Sequence, residues 1–338
     1  MSLEVRGATS ADRGRWDDYV ASRCDAHFGQ RWAWREVIEQ GFGCAARWTL
    51  AEQDGRVRGV LPLFEKRGHA LFSAPGGLLA DDDATAIALL AAPIARVRRE
   101  RLDWLELRDQ RREWPGLETN PEHCTLVVAL QSSEQAQWKA FDAKLRNQIR
   151  KGQRSGWTAR WDRGAVDAFH RVMVENLRDL GTPVRGAAFF RRVLDAYGAD
   201  ADLLLVERDG EVGGAMCVVR QGRTLSDPWA SSLRRHFASC PNQVLYWEAL
   251  RRAIADGCTQ FDLGRSQWQS GTFHFKTQWG ATPVPLFYQY ARGRAARIPT
   301  LAAQQHGFDL AVRVWKRLPV PVAAALGEPV RRRFPEVL

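Results

Sequence analysis

The feature that most restricts this chain is a repeat at about half its length. Residues 51–64 read AEQDGRVRGVLPLF and residues 206–219 read VERDGEVGGAMCVV, an offset of 155 residues. Each is a strand, an Asp-Gly turn and a second strand, and Asp-Gly supplies the positive φ angles a tight hairpin needs. The flanks repeat in the same order. WAWREVIEQGFG (32–43) and AFFRRVLDAYGA (188–199) precede the hairpins, each an amphipathic helix opened by an aromatic pair. A longer helix follows each hairpin, then a short strand, LDWLELRD (102–109) or TQFDLGRS (259–266). Four elements in one order at nearly one spacing predict two related halves. At 338 residues the chain is long enough for two cores.

The predicted first half spans 1–130 and closes on the strand CTLVVAL (124–130). The second spans 131–290 and carries the predicted active site; a basic helical tail, 291–338, follows. Ser132 and Ser133 can each cap a helix at the start of the second half, and Ser132 with Gln135 fits a capping box. Helix, hairpin, helix and strand in this order resemble the units of GNAT acyltransferase folds, so the expected fold class is α/β (α+β), tandem duplicated GNAT-like halves with mixed sheets. In that architecture a sheet opens between two central strands, and exposed N–H groups meet an acyl carbonyl; this step is analogy of fold.

Net charge is +10 and pI about 9.7, which favours anionic partners. Of the 49 basic residues only six are Lys, so each Lys is informative. No apolar run approaches the ~20 residues of a membrane-spanning helix, and the first residues lack the apolar core of a signal peptide. A cytoplasmic protein is expected. The six cysteines form no C-x-x-C pair and read as free thiols. No metal site, G-x-S-x-G, H-E-x-x-H or phosphate-binding loop of the G-x-x-x-x-G-K type occurs, so no metal and no covalent nucleophile is expected.

Residues 133–155 read as one basic helix. Trp138, Phe141, Leu145 and Ile149 share a face, and Lys144, Arg150 and Lys151 lie among the cations on the rest. Such a surface suits polyphosphate or RNA backbone, or simply solvent. The segment FDLGRSQWQSGTFHFKTQWGA (261–281) is the most informative stretch. Gly264 and Gly271 permit a close turn, bracketed by Arg265 and Lys276 and surrounded by aromatic side chains that include Trp268 and Trp279. A fixed cation there suits an oxyanion in acyl transfer. The competing reading makes Arg265 and Lys276 ion-pair partners of Asp262. His274 is a weaker candidate base, and the loop Ser73–Gly77 lines a cleft or forms a plain turn. Asp179, Thr182 and Arg185, after a helix end that Gly181 caps, are candidates for substrate contact, and Trp229 for an aromatic wall.

The segment 261–281 resembles the C-terminal signature of the FemAB-like proteins associated with PEP-CTERM/exosortase systems. WDDYVASRCDAHFGQRWAWREVI, LRNQIRKGQRSG, NLRDLGTPV (176–184) and DPWASS (227–232) match the same group, over roughly residues 10–290. The resemblance implies a Fem-type transferase of two GNAT-like halves that moves an acyl or aminoacyl group to an amine. It implies aminoacyl-tRNA or acyl-CoA as donor, with no tightly bound cofactor, and an envelope or exopolysaccharide precursor as acceptor. It places the activity-bearing lysine of a Phe-Lys motif at Lys276. Two departures matter. The pyrophosphate loop of CoA-dependent GNAT enzymes is matched only by QGFGCA (40–45), at a helix end, and the helical arm of some Fem enzymes is missing.

The leading expectation is therefore an N-acyltransferase, with Lys276 and Arg265 catalytic and substrate contacts from Lys144, Arg150, Lys151, Asp179, Thr182, Arg185, Trp229, Asp262, Gly264, Trp268 and Trp279. The alternatives are a non-catalytic module for RNA or anionic glycolipid, and an acyl-CoA-dependent acetyltransferase; DNA is not an expected partner. The tail joins Phe308, Leu310, Val314, Trp315 and Leu318 with Arg313, Lys316, Arg317 and Arg331–Arg333. It packs on the first half or touches an anionic membrane at the inner face. Lys276→Ala is expected to spare the fold.

Overall fold

A computed structural model describes residues 2–42, 44–66, 69–295, 297–298 and 310–333. The chain forms two compact units, 1–124 with 285–304 and 125–284 with 305–338. The first contains β1 (Glu4–Gly7), α1 (Arg13–Ser22), α2 (Trp32–Phe42), β2 (Ala45–Gln53), β3 (Arg56–Lys66), β4 (Ala70–Pro75), β5 (Leu79–Ala80), α3 (Asp83–Arg99) and β6 (Trp104–Gln110). After β7 (Glu118–Ala129), α4 (Glu134–Ala140) and α5 (Ala143–Arg154), the series returns as β8 (Thr158–Trp161), α6 (Val166–Leu180), α7 (Ala187–Tyr197), β9 (Ala201–Arg208), β10 (Glu211–Gln221), β11 (Thr224–Ser232), α8 (Pro241–Ala255) and β12 (Gln260–Gln267). The chain ends with α9 (Gly271–Thr277), β13 (Thr282–Arg292) and α10 (Val320–Arg333).

The two series match element for element, β5 apart. The hairpins turn at Asp54–Gly55 and Asp209–Gly210, all four residues at positive φ. The aromatic pairs Trp32/Trp34 and Phe189/Phe190 are buried, as the periodicity requires. Each half also has a strand after its hairpin, β4 or β11, that runs parallel to the strand after the long helix. Pro228 and a polar run disguise β11 in the sequence. Strand order is β1-β2-β3-β4-β6-β13 in the first unit and β8-β9-β10-β11-β12-β7 in the second. Each unit thus takes its sixth strand from the far end of the other series: residues 287–292 of β13 lie antiparallel to β6.

The predicted single helix over 133–155 is two helices. Phe141 is extended and Asp142 caps α5, its carboxylate accepting from Leu145 N at 2.6 Å. An N-cap carboxylate is worth about 1 kcal/mol and overrides the continuous periodicity. Ser133, not Ser132, caps α4. All six cysteines are free and only Cys24 is exposed. No helix among the described residues is long and apolar enough to cross a membrane.

Tail residues 310–333 pack within the second unit, not on the first half. A Cβ on Gly181 would come 2.5 Å from Val312, and Arg178 donates to Leu318 O at 2.9 Å. Gly181 N and Thr182 N end α6, while Gly186 N and Pro183 O, further along the α6–α7 connection, bond to Glu328 and Arg331 of the tail. Phe308 lies outside the described residues.

Candidate active site

In the second unit β11 and β12 are paired only at Thr224↔Gln260, Leu225↔Phe261 and Ser226↔Asp262. Beyond that point β11 continues along β10 to Ser232 without β12. Strands that part leave polar groups that need other partners. On β12 those partners are side chains. Lys276 Nζ donates to Gly264 O (2.9 Å) and Arg265 O (3.0 Å). Asp262 Oδ1 accepts from Gly264 N (2.9 Å) and, in a short bond, from the Thr125 hydroxyl. Gly264 holds φ +72°, which lets the strand bend here.

Lys276 reaches this place from α9, a helix where a turn was expected. Ser270 caps it, accepting from Phe273 N at 3.2 Å. The helix buries Phe273 and Lys276 and leaves His274 exposed, since two positions on a helix lie about 200° apart. Lys276 is 8% exposed and holds two backbone carbonyls, so Lys276→Ala should cost stability as well as activity.

Facing Lys276 is Asp227, a residue the sequence reading passed over. It lies on β11 one position beyond the last paired residue, is 5% exposed, and its buried oxygens lack a hydrogen bond of normal geometry. Burial pushes its carboxyl up to about 7; Lys276 and Tyr246 pull it back, and the charge of Asp262 raises it further. The Tyr246 phenol is itself driven well up by burial and by Asp227. A Cβ on Gly264 would lie 3.5 Å from Asp227 Oδ1 and 4.0 Å from Lys276 Nζ. Asp227, Gly264 and Lys276 therefore meet at the opening of the sheet. The signal in the sequence was an Asp-Pro inside a strand, where neither residue serves a ladder.

The other predicted residues divide. Arg265 is exposed beside this group. Trp268, 39% exposed, leans on Phe273 with ring centres 5.9 Å apart. Trp279 is fully buried against Phe141 and Tyr246 and cannot touch a substrate: two residues past the end of α9, it lands on the core face. Trp229 is half-buried, edge-on to Phe189 and Phe190. Arg185 is buried over the Phe189 ring (4.7 Å), Asp179 pairs with Arg178 (2.7 Å), and Thr182 N helps end α6 by donating to Leu177 O (2.8 Å). Lys144, Arg150 and Lys151 are exposed on α5, with Arg150 over Trp138 at 5.3 Å. The Ser73–Gly77 loop is a packed turn in the first unit, where Gln30 Nε2 donates to Gly76 O (2.9 Å) and Gly77 O (3.2 Å).

Residues 139–277 match the family described as the Acetyltransferase (GNAT) domain. Among solved structures, FemX is similar with a TM-score of 0.71 and 15% identity, over 91% of this chain and 100% of that one. The C-terminal domain of a putative lysylphosphatidylglycerol synthetase from Agrobacterium fabrum gives 0.58 and 13%, over 85% and 93%. A tandem GNAT protein from the clavulanic acid biosynthesis pathway gives 0.56 and 12%, over 86% and 99%. No curated protein sequence matches significantly. The fold is the tandem GNAT fold, and the domain matched over residues 139–277 supports an acyltransferase.

Proposed function

We propose that this acyltransferase is of the Fem type and forms an amide on an amine of a cell-envelope or exopolysaccharide precursor, the group associated with PEP-CTERM systems. The observation that supports this reading is the Asp227–Lys276 pair at the opening of β11 and β12. An amine nucleophile is mostly an ammonium at neutral pH and must lose a proton to attack. Asp227, held near pH 7, is matched to take it. As nitrogen bonds to the carbonyl carbon, the π electrons move to oxygen. Protonation of Asp227 leaves the Lys276 charge uncompensated at the moment the oxyanion forms, and the cation stabilises it. The tetrahedral adduct collapses, the ester or thioester bond breaks, and the proton that the attacking nitrogen gives up passes to the leaving group. No covalent enzyme intermediate is required.

The exposed cations of α5 support a polyanionic donor, aminoacyl-tRNA ahead of acyl-CoA. Action is in the cytoplasm at the inner membrane face. Leu310 (70% exposed) and Val314 (54%) stand on the tail with exposed Arg313, Lys316 and Arg317, a composition suited to an anionic lipid surface. Because truncation would remove the packing of the tail, the test is Leu310→Asp with Val314→Asp: co-sedimentation with anionic vesicles at low salt should fall several-fold, and unchanged binding removes the tail from the membrane.

The reaction is tested with labelled aminoacyl-tRNA or acyl-CoA and amine-bearing precursor extracted from the native host. An amide product resistant to hydroxylamine is expected, with a rate that rises as pH passes about 7. Absence of product with both donors overturns the reading.

A further inference from the structure

A layer of aromatic rings in the second unit runs from its core to its surface. Phe141 touches both Trp247 and Trp279, with ring centres 5.6 Å apart in each case, and Trp279 lies 5.6 Å from Tyr246. These four rings are buried. Trp138 of α4 extends the layer outward, 5.2 Å from Trp247 and 6.5 Å from Phe141, and is only half-buried. Beside it lies a groove of about 390 Å³, lined by Trp138 and Trp247, by Glu134, Gln135 and Lys139 of α4, and by Gln153 of α5. That volume falls in the range of small-molecule sites.

Tryptophan is seldom fully buried, so the exposure of Trp138 alone says little. Its surroundings say more. The planes of Trp138 and Trp247 are 54° apart, so the two rings do not stack on one another. Arg150 lies over Trp138 at 5.3 Å, and one guanidinium covers one face of a ring. The acid in the groove, Glu134, is paired with Arg251 at 2.9 Å. Lys139 and the amides of Gln135 and Gln153 stand exposed on the walls. Lys144, Lys151 and Arg154 add exposed positive charge on α5, a helix without an acidic residue. A planar ring with hydrogen-bonding edges and a phosphate beside it uses the aromatic wall, the amides and the cations together. An acyl chain would leave the amides and the cations idle.

We propose that this groove binds a nucleobase, stacked on Trp138, with its edge toward Gln135 and Gln153 and its phosphates on the cations of α5. The ring layer joins the groove to the reacting group, since Trp279 lies two residues past α9, the helix that brings Lys276 to Gly264. The groove then holds the nucleotide end of the donor whose acyl group is transferred at the opening of β11 and β12. Both donors of the proposed reaction, an aminoacyl-tRNA 3′ end and acyl-CoA, present a base beside phosphate. The inference rests on that reaction for the role of the nucleotide as donor; the base binding itself does not depend on it.

The test is fluorescence anisotropy of the full chain with a 5′-labelled single-stranded RNA ending in CCA, beside an abasic RNA of the same length. Trp138→Leu should weaken the CCA RNA about 5- to 150-fold, the range for loss of one stacked base. The abasic RNA should bind both proteins alike, because the phosphate contacts on α5 remain. Trp138→Tyr keeps a stacking face and should stay within about threefold of wild type. Gln153→Glu, an exposed change on the opposite wall, tests the groove without touching the ring layer: a carboxylate there should weaken the CCA RNA several-fold and the abasic RNA less. Coenzyme A, followed by isothermal titration calorimetry, is the second probe. Dependence on Trp138 and Gln153 for the RNA or for coenzyme A assigns the base to that donor. Dependence for neither probe overturns the proposal, and so does equal weakening of the abasic RNA, which would mean that Trp138 only seats Arg150. Amide formation without base-dependent binding would sink the groove alone; base-dependent binding with no amide formed would sink the reaction alone.

Discussion

The two units contain the same opening of a parallel strand pair, and they treat it in opposite ways. In the second unit the ladder stops at Ser226↔Asp262, and Asp227 and Gly264 follow. In the first unit the equivalent pair is Phe72↔Glu106, and Ser73 and Arg108 follow. There the Ser73 hydroxyl accepts from Arg108 N at 2.8 Å, and pairing resumes at Pro75↔Arg108. The Arg108 guanidinium, 4% exposed, donates to Glu106 at 2.9 Å and lies over Phe72 at 4.7 Å; the Tyr290 hydroxyl donates to Glu106 at 3.2 Å. One opening is plugged by a buried ion pair, although Arg108 Nε within it has no acceptor among the described residues. The other keeps a carboxylate without a well-formed hydrogen bond, a glycine and a lysine. A duplicated fold can specialise by filling one copy of its site and leaving the other strained.

The largest effect should follow from Asp227→Asn. Removal of a general base should slow amide formation by about 100- to 10,000-fold. The same change should stabilise the protein. The folded-state pKa of Asp227 is raised, so the folded state holds the proton more tightly than the unfolded chain. Stability therefore falls as pH rises from about 4 to about 7, and a neutral isostere escapes that loss. Above pH 7 the gain should be on the order of 1–3 kcal/mol. A slower enzyme with an unchanged pH–stability curve would mean that Asp227 is not the strained group the comparison requires.

In the first unit the prediction is reversed. Arg108→Met leaves Glu106 buried without its cation and should cost about 3–5 kcal/mol of stability. The rate per folded molecule should stay within about twofold. Lost activity at full stability would make the first opening a working site and break the comparison. Lys276→Met lies between these cases. It strands two carbonyls and the Asp227 charge, for about 2–3 kcal/mol, and should cost about 100-fold in rate. Full stability with a slow rate would mean that the carbonyl bonds are incidental.

The duplication, the hairpins and the placing of Lys276 were legible because they depend on local pattern: Asp-Gly turns, aromatic pairs at helix starts, a cation among glycines. Asp227 was not legible, because its burial follows from where β11 parts from β12, and no periodicity records where a ladder ends. Trp279 misled for the complementary reason. Its aromatic neighbours suggested a platform, and the α9 helix turned it into the core. The break at Phe141–Asp142 shows a capping side chain winning over a continuous apolar face. Arg331 was read as one of three surface cations, although its inward turn depends on contacts with residues 183–186, nearly 150 positions earlier.

The smallest expected effect sharpens the comparison most, because it tests the gap rather than the charges. Gly264 has φ +72°, so any L side chain there is strained. Space is not the obstacle, since a Cβ would meet Asp227 O at 3.4 Å and Oδ1 at 3.5 Å, ordinary contact distances. Gly264→Ala should cost about 1–2 kcal/mol from backbone conformation alone. Gly264→Asn should cost less, because Asn tolerates the left-handed region better. The rates should rank the other way. The Asn side chain extends further between Asp227 and Lys276 and hence into the place a substrate carbonyl would take, so it should be the slower enzyme. Rates that follow stability instead would mean that Gly264 serves only the bend of β12. In that case the second opening differs from the first in its charges and not in its shape.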